Sequence, residues 1–113
     1  MELQYSEIES NIRLIKLIGR LDISGVSAIE TQFSDYSAGE SPRVIVDLLD
    51  VEFLASIGIR LLTLNAKSIA SRGGRMVLLN PKSDIQDVLE ITGIPAMIPI
   101  YEDLKSAEAA LKA

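Results

Sequence analysis

The sequence predicts an α/β fold, a mixed β-sheet of four to five strands packed against about four helices in the order β-β-α-β-α-β-α-(β)-α. Three observations carry that reading. Short runs of branched apolar residues alternate with longer segments whose apolar residues recur at helical spacing. The first two strands are separated by only a short polar turn, so the sheet opens antiparallel, and the helical crossovers after it demand parallel neighbours. The chain has 113 residues, 48% hydrophobic and 24% charged, the make-up of one packed domain spanning 1–113 rather than of a disordered segment.

Residues 2–8 read as the first strand and Ile12–Ile18 as the second, with Glu9-Ser10-Asn11 as the turn between them. Gly19-Arg20-Leu21-Asp22 ends the second strand. Ser24 is the expected N-cap of a first helix, on which Val26, Ile29, Phe33 and Tyr36 form one apolar stripe. Gly39 and Pro42 stop that helix, and Val44–Leu49 is a short apolar run of the kind buried in a sheet.

A long segment without proline follows, from Ile57 to Arg72. Ser56 stands at the joint as the expected N-cap, where its oxygen would accept from an orphan amide of the helix. On the helical wheel Leu61 and Leu64 fall beside Ile57, and Leu62, Ala66 and Ile69 extend the apolar arc. Arg60, Thr63, Lys67 and Ser71 make a polar line down the other side, a solvated surface by spacing alone and a candidate partner surface.

Arg72-Gly73-Gly74-Arg75 closes that helix and opens the strand Met76–Leu79. No phosphate-loop pattern surrounds the double glycine, so it reads as a helix C-cap. After the Asn80-Pro81 turn, Ser83 and Gln86 suggest a capping box for a third helix that ends at Gly93 and buries Ile85, Val88 and Leu89. Ile94–Tyr101, broken by Pro95 and Pro99, reads as an edge strand or strand-like loop. Leu104, Ala107 and Leu111 mark a short last helix.

Composition closes several functions. Lys and Arg number 11 against 16 acids, a net charge of −5 that argues against nucleic acid as a partner. Without cysteine there is no disulfide scaffold, thiolate zinc site or cysteine nucleophile; without histidine the usual general base and commonest metal ligand are gone. No cofactor or metal is expected. Met1-Glu2-Leu3-Gln4 lacks the basic and apolar regions of a signal peptide, and the proline-broken run near the end is too short to insert in a membrane. The expectation is a cytoplasmic protein.

The order of elements, the Gly19-Arg20-Leu21-Asp22 turn and the run from Asp47 to Gly58 resemble the STAS domains of bacterial anti-sigma-factor antagonists. The central motif of that family reads approximately D-L-x-x-V-x-F-x-D-S-[STA]-G-[LI]. Asp47, Leu48, Val51, Phe53, Ser56, Gly58 and Ile59 fall on it, and Gly73–Leu78 matches the family's later strand. The resemblance covers nearly the whole chain. It implies a phosphorylation switch: a GHKL-type serine kinase that is also the anti-sigma factor phosphorylates the motif serine, here Ser56, and a PP2C-type phosphatase reverses it. The unphosphorylated form binds the anti-sigma factor and frees the sigma factor. Asp22 matches the family's acidic residue on the neighbouring loop. The implied partner-binding set is Asp22, Ser56, Ile57, Gly58, Arg60, Thr63 and Lys67. Ala55 departs from the family's usual Asp before the serine, and Ile57 replaces a usual small residue.

Local chemistry alone reads Ser56 as a plain N-cap, Asp22 as a turn or cap residue and Gly58 as a small residue for close packing. Ala55 also leaves room for an unphosphorylated STAS module of a signalling scaffold or a transporter accessory subunit. An enzyme with Ser56 as nucleophile is a poor fit, because there is no G-x-S-x-G elbow and no histidine, and Lys67 lies roughly three helical turns away.

Overall fold

The computed structural model describes residues 1–113. Its elements are β1 (Glu2–Ile8), β2 (Ile12–Leu21), α1 (Ile23–Tyr36), β3 (Arg43–Leu54), α2 (Ser56–Ser71), β4 (Arg75–Leu79), α3 (Ser83–Ile91), β5 (Ile100–Tyr101) and α4 (Leu104–Lys112). The five strands lie in chain order, with β1 antiparallel to β2 and every later pair parallel. This is the mixed sheet expected, and the proline-broken segment supplies only a two-residue edge strand preceded by a 3-10 turn at Ile94–Ala96.

Alternation along the strands sends side chains to two cores. Ile15 and Leu17 of β2, Val44, Val46 and Leu48 of β3, and Met76 and Leu78 of β4 face α1, α2 and α3. The odd-phase partners Ile45, Val77 and Leu79, with Ile12, face α4 through Ala107 and Leu111. Each fully buried Leu or Ile of this kind contributes about 1.5–3 kcal/mol over an exposed one.

β3 runs five residues beyond the apolar run that announces it, to Leu54. The β2–β3 register shifts twice, between Lys16 and Ile18 and between Gly19 and Arg20. The first irregularity changes the phase, so Val51 joins the same core as Leu48 although simple alternation would not place it there, and the second restores the phase for Leu54. β2 likewise reaches Leu21 rather than stopping at Ile18.

The caps differ from the expectation. Asp22, not Ser24, is the N-cap of α1: its carboxylate accepts from the Gly25 amide at 2.9 Å. The Ser83–Gln86 capping box does not form; Lys82 occupies the cap position and Ser83 is the first residue of α3. At the far end of α1, Arg13 donates to the Tyr36 carbonyl at 3.1 Å and Arg72 to that of Ser37 at 3.0 Å, cations at the negative end of the helix. Leu64, expected in the apolar arc of α2, is 52% exposed, and Leu104 is also exposed. The reason for Leu64 is geometric: it lines an open cleft between α1 and α2, which leaves it uncovered.

Candidate functional site

The parallel ends of β2 and β3 bring the two helix starts together. Leu21 pairs with Leu54, and the Ala55 amide donates to the Leu21 carbonyl at 3.0 Å, the last rung of the ladder. From these ends the chain turns into α1 and α2 in the same way. Asp22-Ile23-Ser24-Gly25 and Ala55-Ser56-Ile57-Gly58 each have an extended cap residue and a glycine three positions on.

Both glycines are buried because the helix presses on the strand end. A Cβ on Gly25 would collide with the Arg20 carbonyl oxygen. One on Gly58 would stand 2.8 Å from Leu54 Cδ1 and 2.9 Å from both Cβ and carbonyl oxygen of Leu21. Gly58 therefore sets the approach of α2 to the sheet and so the position of Ser56 above it.

The two starts differ in their caps. Asp22 closes α1 with its carboxylate, whereas Ala55 holds the same position at α2 with no side chain to offer. The expectation that Ser56 is the N-cap is corrected: it is the first residue of the helix. The ladder explains this, since the Ala55–Leu21 bond fixes Ala55 as the last extended residue. The Ala55 carbonyl accepts from the amides of Gly58 and Ile59 at 2.9 and 3.1 Å. Ser56 is exposed at the positive end of the α2 dipole.

Charge is organised around this point. The Gly25 amide, and after it the Arg20 guanidinium, hold the Asp22 carboxyl below its ordinary range. Arg20 Nε lies 3.3 Å from Asp22, and the same guanidinium covers the half-exposed Phe53 ring at 4.2 Å from its centre. Sequence reasoning missed this pairing, for which the only signal was the register that places Arg20 opposite Phe53. The motif residue Asp47 is occupied structurally, accepting from the Leu49 amide at 3.0 Å.

Along α2, Arg60 and Lys67 are exposed, and Thr63 is half-buried with its hydroxyl donating to the Arg60 carbonyl at 3.1 Å. They form the crest of the helix opposite its buried line of Gly58, Leu62 and Ile69. Arg60 overhangs the α1 side; Lys67 overhangs a smaller cleft toward Met97 and Pro99. Between α1 and α2 runs an open cleft of about 690 Å³, with Val26, Ile57, Leu61 and Leu64 as its apolar lining. Asp22, Ser56, Ile57 and Arg60 thus share one end of the molecule, while Gly58 lies beneath it and Lys67 farther along the helix. No group of acidic side chains is placed to hold a metal ion, and no helix is long and apolar enough to cross a membrane. The chemistry on offer at Ser56 is that of an exposed hydroxyl at a helix start.

The family model described as the STAS domain matches residues 5–107. BtrV of Bordetella bronchiseptica, designated an anti-sigma-factor antagonist, is 27% identical over 96 residues, covering 85% of this chain and 83% of its own. A solved anti-sigma-factor antagonist (STAS) domain protein of Planctomyces limnophilus superposes with a TM-score of 0.86 at 26% identity, over 96% of both chains. The Bacillus cell fate determinant SpoIIAA in its phosphorylated form superposes with a TM-score of 0.70 at 20% identity, over 96% of this chain and 99% of that one.

Proposed function

The chain belongs to the STAS domain family, and we propose that its 113 residues act as one anti-sigma-factor antagonist switched by phosphorylation of Ser56. The observation that carries the proposal is the placement of Ser56: exposed, first in α2, beside the capped start of α1 and in line with Arg60. Unmodified, this face binds an anti-sigma factor that is itself a GHKL-type serine kinase. A phosphate on Ser56 blocks that binding, and a PP2C-type phosphatase restores it. The protein is a binding component of the cytoplasm rather than an enzyme.

The physical basis is asymmetric. Phosphate adds about −1.5 to −2 charges and three strong acceptors at pH 7. Within the protein it meets the start of a helix, where the dipole favours an anion by about 0.3–1 kcal/mol. At a partner interface the same group must be desolvated with no counter-charge from the partner, which costs more than that gain. The switch therefore acts on association and leaves the fold alone. That SpoIIAA has been solved in a phosphorylated form supports this reading of the fold.

Intact-mass measurement on protein from its native host tests the site. One added phosphate is expected on the wild type and none on Ser56→Ala. A phosphate retained by Ser56→Ala and mapping to Ser24, Ser68 or Ser83 would refute the assignment.

A further inference from the structure

We propose that the cleft between α1 and α2 is a docking groove for an amphipathic helix of the anti-sigma-factor partner, laid so that its first turn crosses Ser56. This inference rests on the antagonist reading above and adds where, and by what chemistry, the partner is held.

Ile57, Leu61 and Leu64 recur at i, i+4 and i+7 on α2 and turn toward α1. A stripe of that spacing ordinarily faces a core. Here only Leu61 is buried, at 7% exposure, while Ile57 is half-buried and Leu64 stands 52% exposed on the lip. Val26 of α1 closes the floor. The groove extends along α2 from Ile57 to Ser68, about 17 Å at the helical rise, the length of roughly three turns of a second helix. An apolar trough of that length, open along its top, suits a helix seated by residues at i, i+4 and i+7.

The rims give the occupant its charge. α1 carries Glu30 and Asp35 on the groove and no Lys or Arg anywhere between Ile23 and Tyr36. The α2 rim carries Arg60, one turn from Ser56. The matching helix has basic residues on its α1-facing flank and an acidic residue opposite Arg60 at the Ser56 end. A second copy of this chain fits less well, because each copy brings Glu30 and Asp35 but only Arg60 to the groove, leaving acids in surplus across a two-fold contact. The charge order also explains the direction of the switch. A phosphate on Ser56 stands beside Arg60, competes for it, and repels the acidic residue it would otherwise pair.

The test titrates the ¹⁵N-labelled full chain with each recombinant GHKL-type serine kinase of its host, one at a time. The expected result is that one kinase perturbs the amides of Val26, Glu30, Ile57, Leu61 and Leu64. Against it, Leu64→Gln should weaken binding about tenfold or more and Glu30→Lys about threefold or more, while Leu64→Met stays near wild type. An unchanged amide spectrum elsewhere shows that the exposed substitutions leave the fold intact. Perturbations clustered away from the groove, or equal affinity for Leu64→Gln, overturn the groove and leave the antagonist reading standing. If no kinase perturbs any amide, both fall. Concentration-dependent dimerisation abolished by Leu64→Gln would assign the groove to a second copy and overturn the proposal.

Discussion

Ala55 is the residue at which this chain departs most consequentially from its family's pattern, and the neighbouring Asp22 shows what is lost. Both hold the cap position of a helix rising from adjacent strand ends, and only Asp22 has an acceptor to place on the third helical amide. Ala55→Asp should therefore cap α2 as Asp22 caps α1, adding about 1 kcal/mol of stability and several degrees to Tm. A thermal melt showing no gain would mean that the new carboxylate does not reach the Gly58 amide. Gly58 makes the opposite case. A methyl group there meets the Leu21 carbonyl, a backbone atom that cannot swing aside, so Gly58→Ala should destabilise by about 1–3 kcal/mol in urea unfolding. A loss below about 0.5 kcal/mol would show that α2 lifts off the strand freely. The motif serine was legible in the sequence through its neighbours Phe53 and Gly58. Its exact helical position was not, because residue preference marks Ser as a cap and is blind to the ladder bond that fixes Ala55 instead.

At the scale of the element, α2 divides into a buried line and a charged crest, and the crest carries the second prediction about binding. Arg60→Glu and Lys67→Glu should lower partner affinity and slow association, with stability unchanged within about 0.5 kcal/mol because both side chains are exposed. Lys112→Glu is the control: it lies on α4, across the sheet, beside Glu9 at 3.5 Å and Glu108 at 3.9 Å. Surface plasmon resonance on the three variants separates the cases, since equal weakening by Lys112→Glu would reduce the effect to net charge. Helical spacing announced α2 and its apolar arc, yet it could not say that an open cleft between α1 and α2 leaves Leu64 exposed. Periodicity reports which way a residue points and is silent on what stands there. The extension of β3 to Leu54 was hidden for a related reason, since the register shifts break the alternation by which a strand is recognised.

Taken whole, the molecule assigns its two sheet faces different work. α1, α2 and α3 cover one face over the larger core, and α1 and α2 start from adjacent strand ends, with the exposed serine first in α2. α4 closes the other face over a core of six buried residues. A modification of the exposed Ser56 thus touches neither core, so the proposed switch requires no change of fold. Calorimetric titration of the host's anti-sigma-factor kinase with unmodified chain and with chain carrying phosphoserine at position 56 measures the switch itself. The phosphorylated chain is expected to bind more than tenfold more weakly, a difference above about 1.4 kcal/mol, while its melting temperature stays at or above that of the unmodified chain. Equal affinities for the two forms would contradict it.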